Sequence, residues 1–292
     1  TMEALTEVRK AVADRQPFYL YMSHYVVHTP IQEHRPYVGH YRGKQFAGTD
    51  IAIPEEEACY ASMLEGMDAS LGRILDTLEE LNISRNTLVI FYSDNGGLSA
   101  VARGTTPRGT GKDTHNWPLR EGKGSAYEGG TRVPAIMAWA TRADDTPGQQ
   151  RIPIRAGWRC DTPMICEDLV PSILTWAGAE DLIGELEACD GHDVTPLLNG
   201  ASAADPERAF LFHYPHMWGP SGRGYQPHSA IRIGEWKAIY FYEHREWELY
   251  NIRQDIGETQ NLADTHPDIL RRLAGKMRAL HDQLGAQYPI AK

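Results

Sequence analysis

The chain has 292 residues, of which 41% are hydrophobic and 23% are charged, a composition typical of a globular protein with its own core. Its net charge of −10 argues against nucleic acid or an anionic membrane as a partner, because both require clustered lysine and arginine. No stretch approaches the ~18 apolar residues that cross a bilayer. The four cysteines include no CxxC pair and do not make a disulfide framework. An acidic protein can still bind an anion locally, but such a site must be built from a few placed cations or a metal.

The first part of the chain predicts a strand, a helix and a second strand. "PFYLYMSHYVV" at 17–27 is rich in aromatic and branched residues, which favours a β-strand. Pro54 and three glutamates suit the first turn of a helix. Apolar residues then recur at three- and four-residue steps and predict one buried stripe: Tyr60, Met63, Met67, Leu71, Ile74, Leu78 and Leu81. "TLVIFY" at 87–92 predicts a strand buried on both faces of a parallel sheet, so residues 17–93 predict a βαβ unit.

The middle of the chain alternates polar and apolar segments. A long polar stretch at 94–130 leads to the apolar run "VPAIMAWA" at 133–140. "CEDLVPSILTWAGA" at 166–179 predicts a helix, and residues 178–228 are expected to be irregular. Loops as long as the polar stretch are usually functional or disordered.

The last part of the chain changes periodicity. "SAIRI", "WKAIYFY" and "WELYN" predict a three-strand antiparallel meander. A final helix is predicted from Pro267, with one apolar face made by Ile269, Leu270, Leu273, Met277 and Leu280. We therefore expect an α/β core over residues 1–205 and a C-terminal subdomain over 206–292, built from this meander and the terminal helix.

The segment "SDNGG" at 93–97 directly follows the predicted strand "TLVIFY". Ligands bind beyond the carboxyl ends of strands in open α/β sheets, and His28 follows the first predicted strand at the equivalent end. Asp94 and Asn95 offer oxygen atoms, which suit Ca²⁺ or Mg²⁺. The same residues also suit an Asx turn, and spacing alone leaves both interpretations open. Because Ca²⁺ takes about 6–8 oxygens, a metal would need further ligands from elsewhere.

A glycine-rich segment, "PLREGKGSAYEGGTRVP" at 118–134, surrounds Lys123. Glycines on both sides let the backbone approach a ligand closely, and the lysine offers a point charge to an anion. The segment lacks the GxxxxGK[ST] spacing of a P-loop. A solvated lysine in a flexible loop remains the alternative.

Histidines are numerous, but no HExxH motif or Cys/His zinc spacing is present. The segment "HYPHMWGPSGRGYQPHSAIR" offers His213, His216 and Arg223 as candidate substrate contacts, and His115 is a further candidate. The alternative is a structured loop that leads into the C-terminal sheet.

Four segments in this order span nearly the whole chain, and together they resemble the sulfatase family, the formylglycine-dependent branch of the alkaline-phosphatase-like superfamily. The segments are "FYLYMSHYVVHTP", "YASMLEGMDASLGRILDTLEELNISRNTLVIFYSDNGG", "PLREGKGSAYEGGTRVPAIMAW" and "SAIRIGEWKAIYFYEHREWELYNIRQDIGETQNLA". The resemblance implies an α/β fold with a mixed, mostly parallel sheet flanked by helices, and a small C-terminal antiparallel sheet with a helix. It also implies hydrolysis of a sulfate ester on a glycan or small molecule, and favours a periplasmic or secreted location.

The resemblance implies roles for individual residues. Asp94 and Asn95 match the second pair of ligands of the active-site calcium, and calcium is favoured over magnesium. Lys123 matches the lysine that contacts the sulfate. His28 matches the histidine that contacts the sulfate and the leaving-group oxygen, which makes it a candidate proton donor. Charge on the sulfuryl oxygens must be stabilised in a water-poor site, so a metal and a lysine suit this chemistry.

The chain departs from the family pattern at the nucleophile. The C/S-x-P-x-R motif, whose Cys or Ser becomes formylglycine, is absent, and Cys160 in "CDTPM" lacks the arginine and has its proline one place late. The Asp-Asp pair at 144–145 lies in a polar loop rather than after a first strand. We therefore expect the C-terminal portion of a sulfatase, inactive on its own. A non-catalytic relative that binds sulfated glycans, and a phosphodiesterase or phosphonate hydrolase of the same superfamily, remain alternatives.

Overall fold

The computed structural model of the chain describes residues 1–98, 116–186, 189–200, 205–217 and 222–290. The helices are α1 (Met2–Ala13), α2 (Arg35–Val38), α3 (Glu55–Glu80), α4 (Glu128–Thr131), α5 (Pro147–Arg151), α6 (Leu169–Ala177), α7 (Thr195–Leu198) and α8 (Pro267–Leu284). The strands are β1 (Leu88–Tyr92), β2 (Ala135–Trp139), β3 (Ala209–Tyr214), β4 (His228–Ile233), β5 (Trp236–Phe241) and β6 (Glu246–Asn251). Within these residues no helix is both long and apolar enough to span a bilayer.

The chain forms two compact units. The first comprises residues 1–90 and 137–156, and the second comprises residues 91–136 and 157–292. The division passes through β1 and β2, which pair with each other. The boundary expected at residue 205 stays a prediction.

The long helix α3 of the first unit confirms the helix predicted after Pro54. The predicted buried stripe is wrong for most of its length: Leu78 is buried, and the other apolar residues of the stripe are only half-buried. A more polar face is buried instead, because Ser62 Oγ accepts a hydrogen bond from His34 N (2.9 Å) and Ser70 Oγ lies 2.5 Å from Thr1 Oγ1. Periodicity identifies a face that can be buried, whereas the neighbouring segments decide which face is covered.

The strand predicted over 17–27 does not form. Residues 16–25 have no regular secondary structure, and the side chains of Tyr19, Tyr21 and Tyr25 are 70%, 79% and 71% exposed. An extended segment becomes a strand only when a neighbour satisfies its backbone groups, and the described residues offer it none. The predicted βαβ unit is therefore wrong at its first strand.

The strand predicted from "TLVIFY" is β1, but its surroundings differ from those expected. Ser93 N donates to Pro134 O (3.4 Å) and Ala140 N donates to Thr87 O (2.9 Å), so β1 runs antiparallel to β2. Every residue of β1 is half-buried. Burial on both faces of a parallel sheet is thus wrong for the described chain, where β1 has this one antiparallel neighbour.

The C-terminal sheet of the second unit is antiparallel in the order β3-β4-β5-β6, which confirms the predicted meander and adds a strand to it. The added strand β3 lies inside the region that was expected to be irregular, so that expectation is wrong for Ala209–Tyr214. Its apolar run "AFLFHY" satisfies the strand pattern but is short and lies between prolines.

The terminal helix α8 confirms the last predicted element. Leu273 and Met277 are buried against Ile231, Ile233 and Leu249 of the sheet. Ile269, Leu270 and Leu280 are partly buried against the same cluster. Helix α6 likewise confirms the helix predicted over 166–179, with Pro171 tolerated in its first turn.

Candidate anion and metal site

The segment that follows β1, residues 93–97, forms a hydrogen-bonded turn. Asn95 N donates to Asp94 Oδ1 (2.9 Å), and Ser93 Oγ donates to Asn95 O (3.1 Å). Asn95 Nδ2 donates to Gly96 O (3.0 Å). Asp94 Oδ2 and Asn95 Oδ1 accept no hydrogen bond from the part of the chain that the structure describes. The segment therefore forms a turn and still leaves two side-chain oxygens available to a ligand.

Residues 120–129, which we call the lysine loop, are closed at their base by a hydrogen bond from Gly129 N to Arg120 O (2.9 Å). Lys123 lies near the tip and is half-buried. Its ammonium forms no ion pair or hydrogen bond with the residues described in the structure. The charge of Lys123 is thus available to an anion.

Backbone hydrogen bonds join the lysine loop to the turn after β1. Lys123 N donates to Gly97 O (3.0 Å), and Gly96 N donates to Gly130 O (3.1 Å). The Asn116 side chain accepts from Gly97 N (2.9 Å) and donates to Gly97 O (2.8 Å) and Glu121 O (2.9 Å). The structure therefore brings the segments of Asp94, Asn95 and Lys123 together within the second unit.

Glycine is required where these two segments touch. A Cβ added at Gly96 would lie 1.7 Å from Gly129 O, far inside any permitted contact. Backbone–backbone approach of this kind cannot be relieved by a side-chain rotation. The glycines in "SDNGG" and "YEGG" thus serve the packing of one loop on the other.

We expect Gly96→Ala to lower the free energy of unfolding by about 1–3 kcal/mol, the usual cost of overpacking. Gly275→Ala in α8 is the matched control, because an added Cβ there meets nothing within 4 Å. Relief of the conformational cost of glycine in a helix should make that variant about 0.5–1 kcal/mol more stable. Urea unfolding of both variants measures the difference, and equal stabilities would contradict the close approach.

The side-chain oxygens of Asp94 and Asn95 can be assessed as ligands for a metal ion. Oxygens from one carboxylate and one amide suit a hard divalent cation. Among the described residues, no group of three or more His, Cys, Asp or Glu is arranged to hold a metal ion. Because Ca²⁺ takes about 6–8 oxygens, Asp94 and Asn95 fit as part of a coordination shell and cannot complete one alone.

His28 belongs to the first unit and is exposed. Its Nδ1 lies 2.9 Å from Thr29 O and 3.2 Å from Tyr25 Oη. These contacts orient the ring and leave Nε2 without a hydrogen bond to any described residue. The ring can therefore present Nε2 to a ligand.

The candidate sugar contacts occupy different surroundings. His213 has both ring nitrogens engaged, with Nδ1 2.6 Å from Ser229 Oγ and Nε2 2.7 Å from Gln287 O. His216 is exposed and lies edge-on to Tyr214. His115 lies outside the described residues. A sugar would have to compete for His213, whereas His216 is accessible.

Arg223 lies in a 3₁₀ turn, Arg223–Tyr225, that contacts the lysine loop. Ala126 N donates to Gly224 O (2.9 Å). The Arg223 guanidinium forms ion pairs with Glu246 (2.6 Å) and Glu248 (2.7 Å). These acids hold the guanidinium, so its charge is already compensated.

Sequence reasoning missed a buried ion cluster that Glu128 of the lysine loop forms with Lys237 and Glu258. The Lys237 ammonium, which is 0% exposed, lies 3.0 Å from Glu128 Oε1 and 3.0 Å from Glu258 Oε1. The contact with Glu258 is an ion pair without the alignment of a hydrogen bond. The available signal was a lysine inside the otherwise apolar strand "WKAIYFY".

The two carboxylates of this cluster differ in their pKa. Burial opposes ionisation of Glu128, but Lys237, Arg132 and Arg232 outweigh it and lower its pKa to about 2. Burial raises the pKa of Glu258, and Lys237 only partly offsets that effect. Of the two carboxylates, Glu258 therefore depends more on Lys237 to stabilise its ionised form.

Comparison with known proteins identifies the family. A family model described as "Sulfatase" matches residues 1–179, and one described as "N-sulphoglucosamine sulphohydrolase, C-terminal" matches residues 122–283. The chain belongs to the sulfatase family. Sulfatases generally use formylglycine and a divalent metal.

Two curated sulfatases illustrate the similarity. A sulfatase of Formosa agariphila is 30% identical over 282 residues, which cover 90% of this chain and 46% of that protein. The steryl-sulfatase of Mus musculus is 34% identical over 226 residues, covering 77% of this chain and 30% of that protein. The chain thus spans less than half the length of these relatives.

Solved structures support the fold. The crystal structure of Ps i-CgsB in complex with k-i-k-neocarrahexaose has a TM-score of 0.71 and 27% identity, covering 96% of this chain and 53% of that one. The phosphonate monoester hydrolase of Silicibacter pomeroyi, at 22% identity and a TM-score of 0.54, covers 80% of this chain and 43% of that one and shares the fold alone. The predicted alkaline-phosphatase-like α/β class is confirmed.

Proposed function

We propose that the complete protein is a sulfuric ester hydrolase that converts a sulfate ester and water into an alcohol and inorganic sulfate. One observation carries this proposal. The Asp94–Asn95 turn and the lysine loop are joined by backbone hydrogen bonds, so two available side-chain oxygens and the ammonium of Lys123 belong to neighbouring segments of one unit. Membership of the sulfatase family supports the same reaction.

Each residue has a defined task in this proposal. Lys123 binds a sulfate oxygen by charge, and its partial burial strengthens that attraction because less water screens the ammonium. Asp94 and Asn95 contribute ligands to a divalent cation, Ca²⁺ before Mg²⁺. That cation would supply Lewis-acid stabilisation of charge on the sulfuryl oxygens. His28 donates a proton to the leaving oxygen through Nε2.

The nucleophile is not assigned to this chain. The C/S-x-P-x-R motif that yields formylglycine does not occur in the 292 residues, so no attacking group is named among them. The proposed activity therefore belongs to the complete protein.

We propose a sulfated carbohydrate as the substrate. The complex of Ps i-CgsB with neocarrahexaose and the 30% identity to canine N-acetylgalactosamine-6-sulfatase support this class. His213, His216 and Arg223 are the candidates for sugar contact among the described residues, and His115 is a further one. The similarity to steryl-sulfatase makes a steroid sulfate the competing substrate.

Sulfate release by the purified complete protein tests the proposal. A sulfated oligosaccharide, a steroid sulfate and a matched pair of aryl sulfate and aryl phosphate esters are the substrates, and ion chromatography measures the released anion. We expect sulfate from the oligosaccharide at the highest kcat/KM. Preference for the phosphate ester would indicate a phosphohydrolase instead, and binding without release would indicate a non-catalytic glycan-binding protein.

A further inference from the structure

The buried ion cluster includes Glu128 of the loop that carries Lys123. Lys237 projects from β5, an inner strand of the C-terminal sheet, and its ammonium is 0% exposed. A buried ammonium is costly unless it is paired, and here Glu128 and Glu258 both pair with it. Lys237 is thus the charge that holds two buried carboxylates at one point.

Both carboxylates are tied to the base of the lysine loop. Glu128 is part of the loop, and its backbone N–H donates to Glu258 Oε2 (2.6 Å). The carbonyl of Glu258 accepts a hydrogen bond from Arg120 Nη1 (2.9 Å). Arg120 also stacks on Tyr127, with its guanidinium carbon 3.7 Å from the ring centroid. Residue 258 therefore contacts both ends of the loop, at Arg120 and at Glu128.

We infer that Lys237 is a positioning residue for Lys123 and acts through the lysine loop. Its ammonium pairs with both Glu128 and Glu258, which keeps the hydrogen bond between Glu258 and Glu128 N and thereby the base of the loop. The loop in turn holds the turn of Asp94 through the bond from Lys123 N to Gly97 O. The catalytic consequence of this inference rests on the proposed function, whereas its structural part does not.

Removal of Lys237 leaves two carboxylates facing each other in a buried site. Like charges in that position repel, so either Glu258 takes up a proton or the two carboxylates separate. Glu128 retains Arg132 and Arg232 as partners, at 2.8 and 3.3 Å, whereas the described ion pairs give Glu258 only Lys237. The change is therefore expected to appear first at Glu258 and at the loop base that it holds.

Hydrogen exchange of the purified protein tests the structural part. In Lys237→Met, we expect the amides of residues 123–130 to exchange faster than in the parent, while those of α8 stay unchanged. Lys276→Met is the matched control, because Lys276 is exposed on α8 of the same unit. Unchanged exchange in the lysine loop of Lys237→Met would overturn the inference.

A charge-balanced double variant separates positioning from general packing. Lys237→Met with Glu258→Gln removes one positive and one negative charge, and the glutamine oxygen can still accept from Glu128 N. We expect this variant to recover slow exchange in the loop. Failure of the double variant to recover would show that lost packing, rather than charge, governs the loop. If Lys237→Met alone does not fold, folding and slow loop exchange in the double variant support the inference, and its failure to fold overturns it.

Kinetics on the complete protein test the catalytic part. A displacement of about 1 Å at a reacting group can cost about 100-fold in rate, so we expect Lys237→Met to lose about 100-fold in kcat/KM for a sulfate ester. The double variant should regain most of that loss, and Lys276→Met should lose none. Activity unchanged in Lys237→Met despite faster loop exchange would overturn the catalytic part. An inactive parent protein would contradict the proposed function and leave exchange to decide the inference.

Discussion

In the complete protein, Lys123→Met is expected to lower kcat/KM for a sulfate ester by about 10²–10³-fold, the usual effect of removing one charged stabiliser of a transition state. The methionine retains most of the apolar stem and removes only the charge. The ammonium has no ion-pair partner among the described residues, so no buried carboxylate is left unpaired by the change. The loss of kcat/KM should therefore reflect weaker stabilisation of the sulfate group and not unfolding of the protein.

Two measurements and one control variant decide this prediction. Steady-state kinetics give the change in kcat/KM, and urea unfolding should show a free energy within about 0.5 kcal/mol of the parent, as for most surface substitutions. Lys276→Met, an exposed lysine in the same unit, should leave both quantities unchanged. Full activity in Lys123→Met would remove Lys123 from the sulfate site.

In the complete protein, Asp94→Ala is expected to abolish most of the proposed metal affinity and, with it, the proposed sulfatase activity. Loss of an outer-shell partner costs about 10–100-fold in metal affinity, so loss of a direct ligand should exceed about 100-fold. Exhaustive chelation of the parent should have the same effect on activity, and added Ca²⁺ should restore it more effectively than added Mg²⁺. Oxygen-only ligands without a fixed octahedral frame favour the larger ion.

Calorimetric titration of Ca²⁺ and Mg²⁺ into chelated protein measures this effect. Asp144→Ala is the matched control, because Asp144 is an exposed aspartate in a polar turn. Binding should be lost in Asp94→Ala and retained in the control. Equal Ca²⁺ affinity in the parent and in Asp94→Ala would show that the turn of Asp94 is structural only.

The sequence predicted the individual residues of the candidate site better than the contacts that bring their segments together. The chemistry of Asp94, Asn95 and Lys123 is local, so short motifs were enough to select them. Their connection runs through backbone atoms of Gly96, Gly97 and Gly130, and sequence records those positions only as glycine. The helices α3 and α8 were equally predictable because their signals lie within one turn or one face.

The features that the sequence did not predict depend on contacts between distant parts of the chain. The pattern of residues 17–27 has the composition of a strand, but strand formation requires a partner that the pattern does not contain. The pairing of Lys237 with Glu128 and Glu258 depends on the register of the C-terminal sheet against a loop about a hundred residues earlier. No local sequence pattern encodes the contact of Lys237 with these two glutamates.

The links between Arg120, Glu128 and residue 258 have a consequence for recombining sulfatases with one another. A chimera joined near residue 205 would combine the lysine loop of one parent with the Lys237 and Glu258 of the other. A crossover just ahead of residue 116 would instead transfer the loop together with Lys237 and Glu258, and would leave the turn of Asp94 with the other parent. Such a chimera is therefore better joined at the earlier crossover, because the buried charges that pair with one another then come from the same parent.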